Sequence, residues 1–353
     1  MSGAFVLHGL KLSYFTGKLE AYLRARGVPF RYVEMDMADF RACGRATGVY
    51  QMPQLQAPDG TWLTDTTAII RRFEADHPDL PYQPAEPAAA FLSLFLEDAF
   101  DEWLWRPALY YRWAFNEDAA LMGSQIARTM MRDLPGPLWL RAAVIRRRQQ
   151  RVFLKEDGVT DETAPLIERL YPEVLAVLEP VLASRPFLFG ERPVAADFGL
   201  FGPMFRHFAS DPTPASIMRE AAPNVLAWTA RLWATTPDRV GLQPLAAPAD
   251  LDPLLRLAAR DHLVELAVNA EAVAAGRKAV VFSHRRARWR LPPSPYRARC
   301  LADLRAAFAA LTVEDRKAVA ARLGPTAGVL SGSSTAVPAT PTPGGRPTDR
   351  RWT

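Results

Sequence analysis

Along the first part of the chain, short apolar runs of strand length alternate with segments whose apolar residues recur three and four apart; between residues 88 and 247 only the helical spacing continues. Residues 4–8 (AFVLH) predict a strand, and residues 15–26 a helix with Phe15, Leu19, Tyr22 and Leu23 on one face, ended by Gly27-Val28-Pro29. FRYVE at Phe30–Glu34 alternates like a second strand, and residues 37–46 predict a short helix before Gly48. Residues 52–56 and Trp62-Leu63 flank a Pro58-Asp59-Gly60-Thr61 turn and predict a hairpin, followed by a helix over residues 66–75 with Ile69, Ile70 and Phe73 inward. Residues 4–77 therefore predict a βαβαββα unit, a small mixed sheet covered by helices.

Pro78, Pro81, Pro84 and Pro87 mark a linker, and the helical pattern beyond them, as over residues 165–182, predicts an all-α bundle. No period of 20 to 50 residues recurs, which excludes a solenoid. Residues 250–276 predict a further helix, residues 278–282 and 288–291 a basic hairpin, and residues 296–311 and 314–323 two closing helices. Of the last 30 residues, 19 are Gly, Pro, Ser or Thr, a composition that predicts a disordered tail. The expected domains are thus 1–80, a linker at 81–88, the helical domain 89–247, a C-terminal extension 248–323 and a tail 324–353.

Charge changes this picture at one end only. Residues 277–353 hold 15 Lys and Arg against 4 Asp and Glu, whereas the first 276 hold 28 against 34, so the net charge of +5 belongs to the extension and tail. A solvated basic surface is the reading taken; RAAVIRRRQQR (141–151) and HRRARWR (284–290) carry the nucleic-acid alternative, which is set aside. The two cysteines, Cys43 and Cys300, are too few for a disulfide scaffold or a thiolate metal site. Five histidines are scattered with no i, i+4 partner of another ligand type, so no metal is expected. No apolar run is long enough to span a membrane, no secretory leader is evident, and no glycine-rich phosphate loop occurs; a cytoplasmic protein is expected.

Three segments carry candidate chemistry. In Gln51-Met52-Pro53-Gln54, a proline heading a strand can hold a cis peptide bond and turn the main-chain groups of Met52 outward toward an extended ligand. Asp65-Thr66-Thr67-Ala68-Ile69 opens a helix whose free amides and partial positive charge suit a carboxylate, as well as a simple cap. Ser13-Tyr14-Phe15-Thr16 falls where the first strand gives way to the first helix, so a hydroxyl there can donate to a thiolate.

In order and spacing these three segments resemble the N-terminal thioredoxin-like domain of the glutathione transferase superfamily. Phe187-Leu188-Phe189-Gly190-Glu191-Arg192-Pro193-Val194-Ala195-Ala196-Asp197 likewise resembles that family's buried helix start, with Val194 where the capping Ser or Thr stands. The resemblance covers about residues 4–240. It implies a thioredoxin-like domain, an all-α bundle and an added helix and β-hairpin extension. It also implies an enzyme that binds glutathione along Gln51, Met52 and Pro53, with the γ-glutamyl carboxylate at Asp65 and Thr66. Ser13 is the first choice for stabilising the thiolate, Tyr14 the second and Thr16 the third. Glutathione acts as co-substrate with no other cofactor, a small hydrophobic electrophile is the acceptor, and a homodimer is the expected assembly. Trp103, Trp105, Tyr110, Tyr111, Trp113 and Phe115 fall where the family places its acceptor pocket; they are read first as core of the bundle, with some of them as candidate acceptor-site residues and Arg106 and Arg112 as candidates for an acidic acceptor. The alternative is a non-catalytic module of the same fold that uses the basic extension for binding or assembly.

Overall fold

The computed structural model of the protein describes residues 3–332. The N-terminal unit runs β1 (Phe5–Gly9), α1 (Tyr14–Ala25), β2 (Phe30–Glu34), α2 (Met37–Thr47), β3 (Gln54–Gln56), β4 (Trp62–Leu63) and α3 (Thr66–Asp76), each within two residues of its sequence-predicted bounds. The sheet order is β2-β1-β3-β4. β1 runs parallel to β2, with Leu7 opposite Tyr32, and antiparallel to β3, with Leu7 opposite Leu55. A parallel β1–β2 pair needs a crossover, which α1 supplies, and Leu19, Tyr22 and Leu23 bury its inner face. This is the thioredoxin-like arrangement.

The helical domain follows as α4 (Pro87–Glu102), α5 (Trp105–Ala114), α6 (Asn116–Thr129), α7 (Leu138–Arg148), α8 (Leu154–Glu156), α9 (Ala164–Ser184), α10 (Ala195–Pro203), α11 (Pro212–Ala221) and α12 (Pro223–Trp233). α10 is its centre, packed on α4 and α1. Two glycines permit this approach: a Cβ on Gly199 would lie 3.1 Å from the Glu97 backbone, and one on Gly202 2.9 Å from the Tyr14 carbonyl oxygen. Asp197 starts α10 from a fully buried position, accepting from the amides of Val194 and Leu188 at 3.0 Å and from the Trp228 indole at 3.2 Å. Half of the reciprocal cap therefore survives Val194. Burial pushes the Asp197 carboxyl up to about 7 against the pull of those donors.

The extension comprises α13 (Asp252–Ala258), a π-helical turn (Ala259–Leu263), α14 (Val264–Ala274), the hairpin β5 (Val280–His284) and β6 (Ala287–Leu291), α15 (Pro295–Ala309) and α16 (Val313–Leu323). The expected single helix over 250–276 is thus interrupted by the π turn. α13, α15 and α16 all pack on α4, so the extension is continuous with the bundle. The hairpin is docked: Val280, Phe282, Ala287, Trp289 and Leu291 bury one face, His284 bonds Asp261 at 2.8 Å, and Arg285 pairs with Glu173 at 2.5 Å. Trp289 donates its indole N–H to the His284 carbonyl, so the expectation of a solvated basic hairpin holds for its outer face, with Arg288 and Arg290, while the other face is packed inward.

Within the tail expected from residue 324, residues 324–332 are ordered. Pro325–Ser331 form 3-10 turns that bury Ala327, Val329 and Leu330, with Arg305 donating to the Val329 carbonyl at 2.9 Å. Three apolar side chains with a core to meet outweigh the turn-rich composition. Residues 333–353 of that expected tail lie outside the described residues. No helix among the described residues is long and apolar enough to cross a membrane.

Candidate functional site

The Met52–Pro53 peptide bond is cis. Pairing of β3 with β1 begins at Gln54, opposite His8, and the amide and carbonyl of Met52 have no partner among the described residues. Across from it, Asp65 caps α3 by accepting from the amides of Thr67 (3.2 Å) and Ala68 (3.4 Å), while nothing among the described residues accepts from the Thr66 amide. Asp65 sits at φ 70° and ψ 106°, a left-handed conformation that costs a non-glycine residue about 1–3 kcal/mol. This helix start and Met52 line the same cleft. Gln51, Met52, Pro53, Thr64, Asp65 and Thr66 line one cleft of about 640 Å³. Phe15, Trp105 and Phe153 form its apolar side, and Pro292 to Arg299 of the extension form a further wall.

The three candidate hydroxyls fare differently. Ser13 is the half-buried N-cap of α1, with its Oγ accepting from the Thr16 amide at 3.4 Å. It is not on the cleft lining; its neighbour Leu12 packs on the same apolar cluster as Met52. Arg112 holds this turn in place by donating to the Leu12 carbonyl at 2.8 Å. Tyr14 points away: it is 1% exposed and its hydroxyl donates to the Phe100 carbonyl, with burial holding the phenol far above its usual range. The structure thus corrects Tyr14 as a thiolate partner, because α1 turns that side into the α4–α10 core. Thr16 is wholly buried under Gly9, its Oγ1 without a partner among the described residues, and is likewise closed to a ligand.

Beneath the cleft lies a group that the sequence reading missed. Lys18 is fully buried and donates to Thr67 Oγ1 at 3.1 Å and to the carboxylates of Glu97 and Asp101. Burial pulls the ammonium down, but Asp101 and Glu97 outweigh it and hold the charge. Burial in turn raises the Asp101 carboxyl well above its usual range against the pull of Lys18. The triad ties α1, α3 and α4 together below Thr66. Its signal was present in the periodicity, since Lys18 falls on the stripe of Phe15, Leu19 and Tyr22.

Of the aromatic candidates, Trp105 reaches the cleft and stacks on Phe15 at 5.8 Å. Trp103, Tyr111 and Trp113 are core. Both arginines offered to an acidic acceptor are spent inside the protein. Arg112 forks onto Asp211 at 2.7 and 2.9 Å, and Arg106 donates to the Asp157 carbonyl and to Glu265. Asp157 also lines the cleft; its Oδ2 has no partner among the described residues, and burial pushes its carboxyl up to about 6.

One cluster of potential metal ligands stands apart, on β1 and α2. His8 Nδ1 is 3.0 Å from Asp39 Oδ2, and Cys43 Sγ is 4.0 Å from Asp39 Oδ1. Burial, reinforced by Asp39, pushes the Cys43 thiol up to about 11, so Cys43 is a thiol and not a thiolate at neutral pH.

Comparison with known proteins agrees with this architecture. The family model for the glutathione S-transferase N-terminal domain matches residues 7–84, and that for the C-terminal domain matches residues 152–235. A search of curated sequences gives no match. Among solved structures, the β-etherase LigF from Sphingobium sp. strain SYK-6 is 19% identical, aligning 65% of this chain with 95% of its own at a TM-score of 0.46. A glutathione S-transferase from Methylobacterium radiotolerans, in complex with glutathione sulfonate, is 19% identical, aligning 68% with 96% at 0.40.

Proposed function

This chain belongs to the glutathione transferase superfamily, and from that premise we propose that it binds glutathione in the cleft and ionises its thiol for attack on a small apolar electrophile. The observation that carries the reading is the shared lining: Met52, whose main-chain groups have no partner among the described residues, and the Thr66 helix start line one cleft together with Phe15, Trp105 and Phe153. The tripeptide lies extended along Gln51-Met52-Pro53, its γ-glutamyl carboxylate at Asp65 and Thr66.

A thiol with a pKa of about 8.5 is only about 3% ionised at pH 7, and lowering it by two units requires about 2.7 kcal/mol of preferential stabilisation of the thiolate. The sulfur sits at the first turn of α1, where Phe15 lines the cleft; Ser13 lies off that lining and must turn its hydroxyl toward the sulfur, and a hydrogen bond from it to a charged acceptor together with the positive end of α1 supplies energies of that size. The proton leaves to solvent, the sulfur forms a bond to the electrophilic carbon, and the leaving group departs with its electron pair. No cofactor beyond glutathione takes part. The reading carries with it a cytoplasmic setting and a homodimer, which light scattering would register at twice 39.2 kDa. The non-catalytic alternative finds no support in a hairpin docked on Asp261 and Glu173.

Kinetics with a generic aryl halide test the assignment. Ser13→Ala should lower kcat/KM by about 10- to 100-fold and raise the pKa of the bound thiol, whereas Tyr14→Phe should stay within about twofold. The reverse pattern would transfer the role to Tyr14 and contradict the buried hydroxyl described above.

A further inference from the structure

The segment leading into α15 is unusually constrained. Pro292, Pro293 and Pro295 fix their backbone φ angles. Ser294 is gripped by Asn269 through two hydrogen bonds, amide to Oδ1 at 2.8 Å and carbonyl from Nδ2 at 2.9 Å. Arg297 is clamped between Glu102 (2.8 Å) and Glu265 (3.0 Å), both on helices packed beneath it. This rigid strap, which lies beyond both matched family domains, forms one wall of the cleft.

At its end stands Arg299. Its Nη2 donates to Asp65 Oδ2 at 2.8 Å, its guanidinium lies 4.9 Å from the centre of the Tyr296 ring, and its side chain is 59% exposed. The remaining guanidinium donors have no acceptor among the described residues. A ligand carboxylate approaching the Thr66 amide would meet the negative charge of Asp65, which already occupies the helix start. Arg299 offsets that charge and presents a planar pair of N–H groups at the same mouth.

We propose that Arg299 is a positioning residue for the γ-glutamyl carboxylate, so that the C-terminal extension completes the glutathione site within one chain. The inference rests on the reading of the cleft as a glutathione site. It assigns the extension a role in substrate selection: peptides with a carboxylate at the α3 end are favoured over those without one.

Calorimetric titration of the full chain with glutathione and with cysteinylglycine, which lacks the γ-glutamyl group, tests this. Arg299→Ala should weaken glutathione binding about 10- to 100-fold while changing cysteinylglycine binding little. It should raise the KM for glutathione at unchanged kcat, with partial recovery in Arg299→Lys. Arg288→Ala, on the exposed face of the hairpin, serves as control and should bind like the wild type. A thermal midpoint unchanged in Arg299→Ala would establish that the fold persists. If the wild type binds glutathione and Arg299→Ala binds it equally, this inference alone falls; the same is true if both peptides weaken together. If the wild type binds no glutathione, the inference and the reading beneath it fall together.

Discussion

Ser13 and Tyr14 are adjacent in sequence, yet one caps a helix at the half-buried end of a loop and the other is sealed against Phe100. Spacing from the first strand could not separate them, because neighbouring residues at a helix start differ by about 100° in direction and only the packing of α4 and α10 decides which points inward. Asp65 and Thr66 were legible for the opposite reason: a capping residue before an apolar-periodic run fixes its own location. Asp157 was not legible, since its burial depends on Arg106 and the distant extension. Its raised pKa has a consequence for stability. The folded chain keeps this proton up to about pH 6, whereas the unfolded chain releases it near 3.8, so the contribution is complete below about pH 4 and is lost as pH rises through 6. Urea denaturation from pH 4 to 7 should show Asp157→Asn gaining on the order of 3 kcal/mol relative to wild type across that range; parallel profiles would refute the shift.

At the scale of elements, the strands and helices of the N-terminal unit followed from alternation, periodicity and turn residues because each signal is local. The contacts among them did not. Lys18 joins α1 to α3 and α4 through Thr67, Glu97 and Asp101, and only a charged residue on an apolar stripe hinted at it. The close approach of α10 to α1 depends on Gly202, where an added methyl would lie 2.9 Å from both the carbonyl oxygen and Cδ1 of Tyr14. A backbone oxygen cannot step aside as a flexible side chain can. Gly202→Ala should therefore cost about 1–3 kcal/mol, read as a lowered urea midpoint at unchanged slope, and a neutral result would mean that α10 has room to shift.

For the whole molecule, composition identified the extension as basic and the last 30 residues as turn-rich, but neither property shows where a segment packs. Arg285 and His284 are polar residues drawn inward by Glu173 and Asp261, and Ala327, Val329 and Leu330 order a stretch that composition alone would leave free. The extension reaches back across the sequence to the cleft of the first domain, a long-range closure with no local signature. The account stands on the claim that glutathione occupies the space between Met52 and the start of α3. A crystal structure of the full chain with glutathione tests it most directly. The account predicts main-chain hydrogen bonds from the tripeptide to Met52, its γ-glutamyl carboxylate at the Thr66 amide and its sulfur toward the first turn of α1. Glutathione bound elsewhere, or a cleft left empty at saturating peptide, would contradict it.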